Sequence, residues 1–168
     1  HIIFDSTDFY GMSTNNIYVG TYGSTNSKHI EVKNCDFDIG IENAQNGSYL
    51  HYWSRGNTGF KAEGMDSSSI HNNTFHGGHH TAILFGTDSI SNAYGRVRWN
   101  EIYDNTIDYT GIHWGRAFST SGQRYFCCYN RFYRNLIIDQ SIQCQIGGWK
   151  NYFYYNIWKK TVWDGLYG

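Results

Sequence analysis

The sequence predicts an all-β protein built as a parallel β-helix, in which each turn of the chain, or coil, stacks on the one before it. Three observations carry this prediction: a repeated asparagine motif, an abundance of aromatic residues and glycine, and a scarcity of helix formers. The 168 residues are enough for one domain with a core of its own.

The composition favours strands over helices. There are 31 aromatic residues, 19 Gly and 16 Asn, but only four Leu, five Ala and no Pro. Leu and Ala are strong helix formers, so their scarcity excludes an all-α bundle. A net charge of −1 beside so many aromatic residues excludes disorder, and it disfavours nucleic acid as a partner. No apolar run approaches the roughly 18 residues of a membrane span, so we expect no membrane insertion.

The asparagine motif sets the repeat. Residues 100–107, 130–137 and 151–158 share the pattern Asn-x-apolar-Tyr-x-Asn-x-apolar, and residues 68–75 and 29–34 are looser copies. The second Asn recurs at 34, 73, 105, 135 and 156, at intervals of 39, 32, 30 and 21 residues. A unit near 21 residues with insertions predicts about five to six coils over residues 28–168. Residues 1–27 are then an irregular segment or a partial first coil, and the whole is expected to belong to a larger chain or assembly.

The repeat also predicts which residues stack. We expect Asn73, Asn105, Asn135 and Asn156 to form a ladder at a turn, where Asn tolerates the left-handed backbone conformation. An interior column is predicted from Ile41, Ile83, Ile112, Ile142 and Val162. Alternation then turns the next residues outward, and these are Glu42, Leu84, His113, Gln143 and Trp163.

The cysteines and histidines predict no metal centre and no cofactor, and nothing in the sequence indicates Ca²⁺. No CxxC occurs among the four cysteines, and His79-His80 lacks a third ligand at a suitable spacing. One cysteine of the Cys127-Cys128 pair meets Cys144 across strands, or all remain buried free thiols; both alternatives stay open.

The chemistry is expected near Gly111-Ile-His-Trp-Gly-Arg116, where stacking brings histidines, arginine and carboxylates together. Six of the seven arginines fall between residues 96 and 134, which suits recognition of carboxylate or sulfate groups. The candidate catalytic residues are His113, Arg116, His80, Asp108 and Asp139. The candidate substrate-binding residues are Arg98, Trp114, His79, Gln143 and Trp149.

The Asn-x-Ile/Phe-Tyr-x-Asn-x-Ile units and the Gly-Ile and Gly-Gly steps resemble the right-handed parallel β-helix superfamily of pectate-lyase-like, carbohydrate-active proteins. Gly111-Ile-His-Trp-Gly115 and Gln145-Ile-Gly-Gly148 are also similar to archaeal surface β-helices of the disaggregatase-related type. The resemblance implies a right-handed coil and an extracellular or cell-surface polysaccharide as the partner. The catalytic motifs of polygalacturonases, pectate lyases and mannuronan epimerases are absent, so none of those activities is carried over.

Two mechanisms of polysaccharide cleavage fit the candidates. In β-elimination, Arg116 neutralises a uronate, His113 or His80 takes a proton, and Tyr109 assists the leaving oxygen. In hydrolysis, two carboxylates among Glu101, Asp104, Asp108 and Asp139 flank the glycosidic bond. The rival prediction is a non-catalytic structural or adhesive β-helix of a surface layer, filament or phage spike, with coils stacked end to end.

Overall fold

A computed structural model describes most of the chain, and its ranges are 1–10, 15–20, 25–38, 58–76, 81–85, 96–108, 116–120, 127–138, 143–146 and 148–159. The first three coils contain β1 (Ile2–Asp5), β2 (Asp8–Tyr10), β3 (Asn15–Val19), β4 (Ser27–Lys28), β5 (Ile30–Lys33), β6 (Asp36–Asp38), β7 (Thr58–Ala62), β8 (Met65–Asp66), β9 (Ser69–His71), β10 (Thr74–His76), β11 (Thr81–Phe85) and β12 (Val97–Arg98). The last three coils contain β13 (Glu101–Tyr103), β14 (Thr106–Asp108), β15 (Arg116–Thr120), β16 (Cys127–Cys128), β17 (Arg131–Tyr133), β18 (Leu136–Ile138), β19 (Gln143–Ile146), β20 (Tyr152–Tyr154) and β21 (Ile157–Lys159).

The strands form four parallel sheets, and each coil visits them in the same order. The first sheet runs β1-β5-β9-β13-β17-β20 and the second runs β2-β6-β10-β14-β18-β21. The third sheet runs β3-β7-β11-β15-β19, and the short fourth sheet runs β4-β8-β12-β16. This arrangement confirms the predicted parallel β-helix of about six coils. Residues 1–27, expected as an irregular segment or partial coil, contribute β1, β2 and β3 to the first three sheets.

The interior is a set of apolar columns, because every second strand residue points inward. In the second sheet, Phe9, Phe37 and Phe75 stack with centroid separations of 4.7 and 4.5 Å. The column continues through Ile107 and Ile137, both about 1% exposed or less. Burying each such side chain contributes about 1.5–3 kcal/mol, so these columns are the main source of stability.

The asparagine ladder is present at the turn between the first and second sheets. Asn73, Asn105 and Asn135 are each at most 2% exposed. Each backbone N–H donates to the side-chain Oδ1 of the next coil, and each Nδ2 donates to the same oxygen, at 2.9–3.1 Å. Asn156 closes the series by accepting from Asn135. The predicted ladder is therefore confirmed.

The backbone of the ladder differs from the prediction. The left-handed residue is the one before each ladder asparagine, namely Asn72, Asp104, Arg134 and Tyr155, with φ between 53° and 56°. The turn thus points the left-handed residue outward and the following asparagine inward. In the second coil the ladder position is Cys35, whose N–H donates to Asn73, so the assignment of Asn34 to the repeat is wrong by one residue.

A second ladder occupies the turn between the fourth and first sheets. Asn100 donates to Asn130 Oδ1 at 2.9 Å, and Asn130 donates to Asn151 Oδ1 at 3.0 Å. These are the first asparagines of the sequence motif. The motif therefore marks two turns of the coil, one at each end of the first-sheet strand.

The predicted interior column of the third sheet has the wrong register. Ile83 is interior, at 1% exposure, but its strand neighbours are Phe60 and Phe118 rather than Ile41 and Ile112. The chain between the second and third strands varies in length from coil to coil, so counting from the asparagine fails there. Leu84 consequently pairs with Lys61 and Ser119, not with His113, and it is only 5% exposed.

Candidate functional site

The outer face of the second sheet carries a row of acidic and imidazole side chains. Asp38, His76 and Asp108 end the second-sheet strands of three successive coils and are direct neighbours in register. Adjacent strands lie about 4.8 Å apart, so the two carboxylates flank the imidazole at a Cα separation of about 9–10 Å. We call Asp38, His76 and Asp108 the carboxylate–imidazole row.

A further carboxylate holds the imidazole. His76 Nε2 lies 2.9 Å from Asp36 Oδ1, a close contact without hydrogen-bond geometry. The two side chains are 39% and 43% exposed, although the contacting Oδ1 atom of Asp36 is itself buried. Asp108 makes no hydrogen bond or ion pair within the described part of the chain. The row therefore contains a carboxylate free to accept a proton beside an imidazole held in place by a second acid.

The first sheet, in contrast, carries stacked rings along its outer face. His71, Tyr103, Tyr133 and Tyr154 stack in turn with centroid separations of 4.7, 5.1 and 5.1 Å and interplanar angles below 10°. His71 Nε2 also lies 3.1 Å from Glu31 Oε1. These rings cover one another's faces, which leaves their edges toward solvent.

Fixed charges on this face shift several pKa values. Bidentate hydrogen bonds from Arg134, at 2.6 and 2.8 Å, lower the pKa of Asp104. The hydrogen bond with His71 lowers the pKa of Glu31. Burial, reinforced by the nearby Glu101, raises the pKa of Tyr133 to about 12, so this phenol stays protonated at neutral pH.

The sequence-predicted site residues are only partly described. Asp108 lies in the row beside His76 rather than beside a described arginine. Arg116 and Gln143 are direct strand neighbours in the third sheet, and Thr81 is the other neighbour of Arg116. Five candidates lie outside the described residues, so their grouping stays a prediction; these are His113, His80, Asp139, Trp114 and His79.

Arg98 and Trp149 occupy the fourth sheet and its continuation. Arg98 donates two hydrogen bonds, at 2.7 and 3.2 Å, to the carboxylate of Asp66, which is 2% exposed. This ion pair satisfies a buried acid, so it gives Arg98 a structural role. Trp149 bridges to Cys128 and is 45% exposed.

Sequence reasoning missed His76 as a site residue, although a usable signal was present. His76 follows Asn73 by three residues and Asp108 follows Asn105 by three. Because the two asparagines stack, equal spacing makes His76 and Asp108 neighbours. Asp38 escaped notice because Asn34, rather than Cys35, was aligned with the ladder.

No group of three His, Cys, Asp or Glu side chains is placed to hold a metal ion within the described ranges. Among the same residues, no helix is long and apolar enough to cross a membrane. Comparison with family models, curated proteins and solved structures finds no significant match to this chain.

Proposed function

We propose that this protein is an extracellular, polysaccharide-binding β-helix that hydrolyses its polymer at the carboxylate–imidazole row. The observation that supports it is the register of Asp38, His76 and Asp108 on successive coils. Two carboxylates that flank a glycosidic bond are the usual equipment of glycoside hydrolysis. The sequence resemblance to pectate-lyase-like, carbohydrate-active β-helices supports the same class of substrate.

The spacing of the two acids favours direct attack by water. Carboxyl groups about 6.5–9.5 Å apart leave room for a water molecule between base and sugar. Side chains that project in parallel from strands two apart, with Cα atoms about 9–10 Å from each other, can hold their carboxylates at such a spacing. Asp108, which has no partner among the described residues, removes a proton from the water as its oxygen bonds to the anomeric carbon. The glycosidic C–O bond breaks, and Asp38 gives a proton to the leaving oxygen.

His76 lies between the two acids and orients the bound sugar. Its Nε2 faces Asp36 Oδ1, which is itself buried, so a substrate hydroxyl meets the solvent-exposed part of the imidazole. Hydrolysis is favoured over β-elimination here because no arginine in the described part of the chain is in register with the acids of the row. The product of direct water attack has the inverted anomeric configuration.

The test is a digest of neutral and uronate-containing polysaccharides, read both by reducing ends and by the absorbance of unsaturated uronate. We expect reducing ends without unsaturated product. Asp108→Asn should lower the rate about 10²–10⁴-fold, the usual contribution of a positioned acid or base. Asp8→Asn is the matched control, because Asp8 lies on the same face outside the row, in register with Asp36.

An Asp108→Asn protein as active as Asp8→Asn would contradict the assignment of the row. Unsaturated uronate as the main product would replace hydrolysis by elimination. If the wild-type protein binds a polymer but releases no product, the protein is a binding module and not a hydrolase.

A second candidate function is a non-catalytic structural rod. The stack of rings on the outer face of the first sheet, from His71 to Tyr154, favours it. Four stacked rings and the cross-coil Arg134–Asp104 pair stiffen one face of the protein. In that case, neither binding nor cleavage of any polysaccharide is expected, and Asp108→Asn changes nothing measurable.

A further inference from the structure

A groove runs along the first sheet at its C-terminal end, away from the carboxylate–imidazole row. Its floor is Arg131 and Tyr152, which are direct neighbours on β17 and β20. One wall is Tyr154 and the other is Trp99 and Tyr129, which project from the turn before the sheet. The groove encloses about 290 Å³. This volume is near the lower end of ligand pockets, so it suits one or two sugar rings.

The floor of the groove includes the ring of Tyr152, which is exposed within the described part of the chain. The rings of both walls are covered by stacking. Tyr154 stacks on Tyr133 at a centroid distance of 5.1 Å, and Trp99 stacks on Tyr129 at 6.1 Å. Tyr152, in contrast, is 49% exposed and contacts no other ring in the described part of the chain. An exposed flat face between two walls accepts the apolar face of a sugar ring.

One cation lines the groove beside Tyr152, and a second lies close to the ring of the groove residue Tyr129. Arg131 is 57% exposed in its side chain and contacts Glu101 through one nitrogen at 3.3 Å. An exposed pair of this kind contributes little, so a ligand anion competes for the guanidinium. Lys150 Nζ lies 4.6 Å from the Trp149 ring and 5.7 Å from the Tyr129 ring, and it has no carboxylate partner among the described residues.

Two other arginines in the described part of this region are already paired with carboxylates. Arg134 is bound by Asp104 and Arg98 by Asp66, each through two hydrogen bonds. Among the described residues, the available positive charge therefore lies on Arg131, which lines the groove, and on Lys150, which is close to the ring of the groove residue Tyr129.

We propose that this groove is a second glycan-binding site that takes a sugar bearing a carboxylate or sulfate group. The sugar ring packs on Tyr152, and its anionic group binds Arg131 and Lys150. The inference takes its ligand class from the proposed function but is independent of the carboxylate–imidazole row. It predicts that the protein holds its polymer at one face while another face acts on it.

The test measures binding of chondroitin sulfate, polygalacturonate and dextran of matched length to the full chain by titration calorimetry. We expect the anionic polymers to bind and dextran not to bind. Tyr152→Ala and Arg131→Gln should each weaken binding about tenfold or more, and Lys150→Gln should reduce the salt dependence. Tyr10→Ala is the matched control, since Tyr10 is 63% exposed on the second sheet of the first coil. Melting temperatures of all variants verify that they fold.

The outcomes separate this proposal from the proposed function. Equal binding of dextran, or equal affinities for Tyr152→Ala and Tyr10→Ala, overturns the groove as a site for anionic sugars. Asp108→Asn should retain binding at the groove while losing cleavage. If the protein cleaves its polymer but the groove variants bind normally, the carboxylate–imidazole row is supported and the groove is rejected. If the groove variants lose binding but the wild-type protein cleaves no polymer, the groove is supported and the row is rejected.

Discussion

Replacing Asn105 by Ala tests how much one rung of the ladder contributes. The Asn105 side chain is buried and forms five hydrogen bonds that connect three coils. Its Nδ2 donates to the carbonyls of Ile70 and Tyr103 and to Asn135 Oδ1. Its Oδ1 accepts from the backbone N–H and from the side-chain amide of Asn73.

The expected loss follows from the groups left behind. Alanine removes the acceptor of the Asn73 N–H and the donor to the Ile70 and Tyr103 carbonyls. Each buried group left without a partner costs about 1–3 kcal/mol, and local relaxation recovers part of this. We expect Asn105→Ala to lower the free energy of unfolding by about 3–5 kcal/mol.

Asp at the same position sharpens the test. It has nearly the same shape, but it replaces the Nδ2 donor by a second oxygen facing the oxygens of Ile70, Tyr103 and Asn135. Burial beside acceptors raises the pKa of such a carboxyl, so the loss should be largest at neutral pH and should shrink as the pH falls and the acid becomes a donor.

The assay is urea unfolding followed by far-ultraviolet circular dichroism. Thr74→Ala is the control, because Thr74 is exposed and lies just after the equivalent turn of the preceding coil. A loss below about 1 kcal/mol for Asn105→Ala, or an equal loss for Thr74→Ala, would refute the reasoning that the ladder contributes strongly to stability.

Three further predictions follow from single contacts. Gly148→Ala should destabilise the fold severely, measured as a fall in melting temperature, because φ is +88° and the new Cβ would lie 2.0 Å from the Cys127 carbonyl oxygen. Burial raises the pKa of the Cys127 thiol to about 12, so peptide mapping after iodoacetamide treatment at neutral pH should find it labelled only in denaturant; fast native labelling contradicts this. The Asp104 pKa is lowered by Arg134, so this pair stabilises the fold above the ordinary carboxyl pKa and is lost as pH falls through the folded value. Arg134→Gln should therefore lower the melting temperature at neutral pH but not in strong acid.

The first two strands of each coil and the turns beside them could be predicted from the sequence, because the spacing between the two motif asparagines is fixed. From the first motif asparagine to the second, the chain makes one strand and one turn, as from Asn100 to Asn105 and from Asn130 to Asn135. Constant spacing means that a stacked asparagine also aligns every residue within a few positions of it. The register of β10 with β14 follows directly from this.

The third sheet could not be predicted in the same way. Nineteen residues separate Asp38 from Thr58, whereas four separate His76 from Thr81. No local sequence pattern indicates which residue begins the third-sheet strand after a connecting segment of variable length. The predicted neighbours of Ile83 are therefore wrong, whereas the predicted grouping of His113 with His80 and Arg116 lies partly outside the described residues and stays a prediction.

The sequence by itself determined the repeating coil, the buried asparagines and the inward columns, because these depend on alternation and fixed local spacing. The tertiary structure decided which side chains meet across coils, such as His76 with Asp36 and Arg98 with Asp66. It also decided that the left-handed residue is the one before each ladder asparagine. Such contacts join residues about 30–40 positions apart, and only the stacking of whole coils, loops included, sets their geometry.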